Sequence, residues 1–156
     1  MTGLFNGAAL SHIAPLECQS ATSKKPLCAL FVDLNGLKGI NDKFGHAAGS
    51  EFIKLAATKL VGHVRKSDWV FRIGGDEFVV LMPNTSKKSA LKRSREIASS
   101  VAQIRICNIP ARASFGLAIT GKIRKWRTLI NAADKAMYRS KALSKINPQA
   151  QEIIVA

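Results

Sequence analysis

Residues 69–73 and 78–82 are two apolar, strand-like runs separated only by Gly74, Gly75, Asp76 and Glu77. So short a glycine-containing gap between such runs commits the chain to a β-hairpin. Pro83 and Asn84 close its second arm. Residues 27–32 (LCALFV), bounded by Pro26 and Asp33, read as a buried strand. Residues 47–64 put Phe52, Ile53, Ala56, Ala57, Leu60, Val61 and Val64 on one helical face, with Gly45 and Gly49 near its start. Thr85 or Ser86 caps a further helix reaching about Gln103 that buries Ala90, Leu91, Ile97, Ala98 and Val101. Residues 104–109 and 113–119 are expected as strands around Pro110. Residues 127–143 are expected as an amphipathic helix with Leu129, Ile130, Ala133, Ala136 and Met137 inward. Residues 153–155 end the chain as an edge strand or a frayed tail. Hairpins interrupted by helices predict an α+β fold, a mainly antiparallel central sheet flanked by helices.

The chain of 156 residues is expected to form one domain, residues 1–156, which at this size buries roughly 70% of the surface exposed when unfolded. It contains no apolar run long enough to cross a membrane and no signal-peptide pattern in its first ten residues. Cys18, Cys28 and Cys107 are too widely spaced for a zinc site and too few for a disulfide framework, so a cytoplasmic location is expected. The net charge is +14, and residues 79–156 carry +12 of it. Such a field attracts phosphates, although a solvated basic helix face has the same composition. No aromatics interleave with the basic residues, so no specific nucleic-acid partner is expected.

Asp33 leaves a buried strand, and Asp76 and Glu77 sit at the hairpin tip beside two glycines that let a ligand approach the backbone. If that strand lies beside the hairpin, three carboxylates meet and require a cation. Mg2+ suits them, because it takes one or two carboxylates and leaves its other positions to water and phosphates. Residues 34–38 cross from strand to helix with Gly36 and Lys38, a place where backbone N–H groups and an amine can cradle a triphosphate. No Walker pattern is present, and His12, His46 and His63 share no ligand spacing.

The segment RIGGDEF at 72–78 resembles the signature of the GGDEF family, the bacterial diguanylate cyclases. The resemblance extends to TGLFN (2–6), DLNGLKGIND (33–42), GHAAG (45–49), SFG (114–116) and ADKAMYRSK (133–141). It covers residues 2–146 and implies a palm-like nucleotidyl-cyclase fold. It further implies that two GTP molecules, one on each subunit of a homodimer, condense to cyclic di-GMP and two pyrophosphates. By position, Asp33, the Leu34 carbonyl and Asp76 would hold Mg2+, with Mn2+ as a substitute. Glu77 would be a second ligand or handle a proton. Lys38 and Lys141 would meet phosphates, Gly74 and Gly75 would admit the nucleotide, and Asn41 would hydrogen-bond guanine. Arg65 and Asp68 match the family's RxxD site for inhibition by product.

Several positions depart from the family pattern. Asn35 stands for a usual Asp, Leu37 for Phe, Gly7 for Arg, and Ser50 for the Asp that reads guanine. Residues 144–146 (SKI) replace Gly-Arg-Asn, so Lys145 keeps a charge but loses the two-pronged phosphate contact of Arg. The chain begins inside the opening motif, and no sensory or dimerising segment is expected ahead of it. The leading expectation is a diguanylate cyclase. The alternative is a silent GGDEF domain that binds GTP or cyclic di-GMP and regulates a partner.

Overall fold

The computed structural model describes residues 2–121, 125–146 and 152–156. The elements in chain order are β1 (Phe5–Asn6), α1 (Gly7–Ser20), β2 (Leu27–Asn35), α2 (Leu37–Gly62), β3 (Trp69–Arg72), β4 (Glu77–Met82), α3 (Lys87–Ala102), β5 (Arg105–Ile106), β6 (Ile109–Pro110), β7 (Arg112–Thr120), α4 (Trp126–Ile146) and β8 (Ile153–Val155). The main sheet has the order β1-β3-β4-β2-β7-β8. Its three inner pairings are antiparallel, and the two outer ones, β1 with β3 and β7 with β8, are parallel. Residues 153–155 are therefore an edge strand, while 147–151 lie outside the described residues.

Strand β2 is buried along almost its whole length, and its period of two sorts its side chains between two cores. Cys28, Leu30, Val32 and Leu34 join Phe52, Ala56 and Leu60 of α2 and Ile97 and Val101 of α3. Leu27, Ala29 and Phe31 face the other way, with Leu10, Ala14 and Cys18 of α1 and Leu129, Ala133 and Met137 of α4. Helices thus cover both faces of the sheet. The α4 face packs most closely at Gly116, where an added Cβ would overlap the Ala133 carbonyl oxygen and the Met137 nitrogen. Only glycine permits backbone to lie on backbone in this way.

Helix α1 was not among the elements expected from periodicity. It contains Pro15 and buries only a narrow stripe of Leu10, Ala14 and Cys18. Its start is fixed by Asn6, whose side chain accepts a hydrogen bond from the Ala9 N–H at 2.9 Å. Ser86 caps α3 in the same manner, accepting from Ser89 N–H at 3.2 Å. Helix α2 begins ten residues earlier than expected and kinks at Gly45, where φ is 84° and ψ is 164°. The expected strand over 104–109 is instead a small hairpin of β5 and β6. Cys107 and Asn108 turn it with φ of 47° and 67°, the left-handed pair that a tight two-residue hairpin turn demands.

Candidate active site

The polar residues follow from the same alternation. Asp33 and Asn35 continue the α4-facing row of β2 past the end of the apolar core. Asp33 pairs in register with Glu77 of β4 on one side and Ser114 of β7 on the other, and Asn35 pairs with Arg112. Helix α4 undergoes a matching change. Its inward stripe of Leu129, Ala133 and Met137 gives way at Lys141 and Lys145, just where the sheet turns polar.

Asp33 is 5% exposed, and its Oδ1 accepts a hydrogen bond of 2.7 Å from Lys141 Nζ. The Leu34 N–H donates to the Asp76 carbonyl at 2.9 Å, which fixes the hairpin tip against the strand exit. The Ile73 N–H donates to the Glu77 carbonyl at 3.0 Å, and Arg72 Nη2 donates to the Gly75 carbonyl at 2.8 Å. A Cβ on Gly74 would collide with the Glu77 carboxylate, whereas one on Gly75 would meet nothing within 4 Å. The tip is therefore closed at Gly74 and open to a ligand at Gly75. Burial first, and then the carboxylates of Asp76, Asp33 and Asp134, push the Glu77 carboxyl above its ordinary pKa, while Lys141 partly opposes them.

The donors fit a hard cation. Asp33, Asp76 and the Leu34 carbonyl offer oxygen alone. Asn35 Oδ1 is buried with no hydrogen-bond partner among the described residues, while its Nδ2 donates to Ser114 Oγ at 2.9 Å. Among the described residues no three His, Cys, Asp or Glu side chains are grouped so as to hold a metal ion by themselves. Mg2+ takes one or two carboxylates and fills its other positions with water and phosphates.

Beyond the carboxylates, the structure divides the expected site residues. Lys38 is exposed in the first turn of α2, whose N-cap Gly36 is left-handed and offers no side-chain cap. Asn41 fills the space beside Gly49 where a side chain would sit, so the kink at Gly45 brings it next to the turn carrying exposed Ser50. Lys141 and Lys145 line one cavity. Arg65 and Asp68 lie elsewhere, on the loop between α2 and β3. The Asp68 side chain is fully buried, and its Oδ2 accepts from Arg93 Nη1 at 2.9 Å and from the Arg65 backbone N–H at 2.8 Å. The Arg65 side chain remains exposed beside a cleft of about 310 Å3 lined also by Val61, Val64 and Lys66.

A family model described as diguanylate cyclase, GGDEF domain, matches residues 1–146. The chain belongs to the GGDEF family. It is 36% identical over 143 residues to the diguanylate cyclase DgcM of Escherichia coli, covering 90% of this chain and 35% of that protein. The chain thus spans about a third of the length of the curated relatives it matches. Among solved structures, the GGDEF domain of TpbB (YfiN) from Pseudomonas aeruginosa superposes with a TM-score of 0.88 at 31% identity, over 99% of this chain and 91% of that one. The GGDEF domain of DgcB from Caulobacter crescentus, in complex with c-di-GMP, also gives 0.88, over 99% of this chain and 92% of that one. At 22% identity that second likeness speaks for the fold.

Sequence patterns alone missed three neighbours of this GGDEF site. Asp134 adds to the charge on Glu77, Ser114 holds Asn35, and Arg112 enters the cavity of Lys141. The signal for Arg112 was an arginine opening an otherwise buried strand. No helix of the described residues is long and apolar enough to cross a membrane.

Proposed function

We propose that this GGDEF domain condenses two GTP into cyclic di-GMP and two pyrophosphates, in a Mg2+-dependent reaction across two facing copies. The observation that carries the reading is the convergence of Asp33, Asp76, Glu77 and Lys141 at one end of the sheet. Bound Mg2+ would neutralise charge on the reacting phosphoryl oxygens and lower the pKa of an attacking hydroxyl. Asp33, Asp76 and the Leu34 carbonyl are the groups to hold it. Lys141 and Lys38 orient the phosphates by charge-assisted hydrogen bonds. Open space at Gly75 admits the nucleotide against the backbone. Glu77, with its raised pKa, is suited to take or return a proton. Asn41, beside Ser50, is the group for the guanine edge. Each copy carries one such site, so the chain holds half of the reacting pair. Cyclic di-GMP would dock on the Arg65 guanidinium, with Asp68 shaping the loop beneath it.

Incubating concentrated protein with GTP and Mg2+ and assaying cyclic di-GMP tests this reading. Product from the parent and none from Asp76→Ala is expected. GTP binding without product in the parent would replace the reading with that of a silent regulatory domain.

A further inference from the structure

Asn35, Gly36, Arg112, Lys141, Ser144 and Lys145 line a cavity of about 400 Å3 beside Asp33. Three of these six residues are cationic, and they come from two elements. Lys141 and Lys145 descend from α4, while Arg112 rises from the first position of β7. Arg112 lies opposite Asn35 and two positions from Ser114, which pairs with Asp33, so it belongs to the same α4-facing row as the carboxylate. Lys141 is already engaged with Asp33. Arg112 and Lys145 have no ion-pair partner among the described residues, and both are exposed. The uncapped start of α2 at Gly36 adds free N–H groups and partial positive charge to the same wall.

The lining is basic and includes no carboxylate. A guanidinium grips phosphate with two parallel N–H donors, whereas an ammonium acts as a point charge. In α4 the residue available for that grip is Lys145.

We infer, on the basis of the function proposed above, that Arg112 is a substrate-binding residue. Its guanidinium holds the terminal phosphates of the nucleoside triphosphate, supplying from β7 the two-pronged contact that α4 cannot make. The pocket therefore recognises a triphosphate tail rather than the base, and a nucleoside monophosphate does not reach it.

The test is calorimetric titration of GTP, GMP and inorganic tripolyphosphate, each with Mg2+, into four proteins: the parent, Arg112→Ala, Arg112→Lys and Lys92→Ala. Lys92 is an exposed α3 residue remote from the cavity and controls for loss of one charge. Losing charge-assisted hydrogen bonds, Arg112→Ala should weaken GTP and tripolyphosphate binding by about tenfold or more. GMP should change by less than about twofold by the same reasoning, and Arg112→Lys should recover part of the loss. Equal GTP binding by the parent and Arg112→Ala, or an equal loss in Lys92→Ala, would overturn the role of Arg112 and leave the proposed function standing. A parent protein that binds neither GTP nor tripolyphosphate would overturn both.

Discussion

Lys141 and Asp33 are separated by 108 positions in the chain, yet their charged groups meet at 2.7 Å. The contact joins the polar half of α4 to the exit of the central strand, and it balances one of three carboxylates that crowd there. An ammonium in that position competes with any other cation for the Asp33 oxygens, because both gain from the same charge.

Removing the amine should therefore separate two affinities. Without nucleotide, Lys141→Ala is expected to bind Mn2+ more tightly than the parent, measured by electron paramagnetic resonance of the free ion. The same variant should bind GTP more weakly, since a phosphate contact is lost. Unchanged Mn2+ affinity would show that the amine and the metal occupy separate places.

On the proposed function, base selectivity falls to Ser50, exposed beside Gly49 and the Asn41 side chain. A hydroxyl there forms weaker bonds to guanine N–H groups than a carboxylate, for which each charged hydrogen bond contributes about 1.5–3 kcal/mol. Ser50→Asp should raise the ratio of GTP to ATP affinity by about tenfold or more. Identical ratios in the two proteins would remove Ser50 from base reading.

The RxxD loop predicts opposite behaviour for its two charged residues. Asp68→Ala strands Arg93, whose side chain is 12% exposed, and should cost about 3 kcal/mol in urea unfolding. Arg65→Ala leaves the melting curve alone and lowers cyclic di-GMP affinity in calorimetry. Unaltered product binding in Arg65→Ala would mean that the loop has only a structural role.

The hairpin tip makes a prediction about pH. The carboxyl of Glu77 has a raised pKa in the folded chain, so the folded state holds its proton more tightly than the unfolded state does. Ionisation therefore costs stability as pH rises from the ordinary carboxylate value through the raised one. With metal chelated, Glu77→Gln should melt higher than the parent at pH 7. The difference should vanish below about pH 4, where the parent residue is also neutral. A gain that persists undiminished at low pH would point to packing rather than charge.

Much of the site was legible in the sequence, because local rules govern it. A four-residue gap makes a hairpin, an apolar run makes a buried strand, and together they bring Glu77 into register with Asp33. What escaped depends on contacts that no local pattern encodes. The RxxD match singles out Arg65 and Asp68, but does not reveal that Asp68 takes the Arg65 backbone N–H and the guanidinium of Arg93, 25 positions on. Helix α1 hid behind Pro15 and a stripe of small residues, and the turn at Cys107 and Asn108 behind an apolar run. Arg112 reaches the cavity of Lys141 because β7 lies beside β2 under α4, and topology alone supplies that.

The backbone contact at Gly116 sets how closely α4 packs on β7. Met137, which abuts the glycine, lies one helical turn before Lys141. Its peptide groups are pressed against those of the strand at this one point, with no room for a Cβ between them. A side chain at position 116 would therefore push α4, and Lys141 with it, away from the strand that carries Ser114.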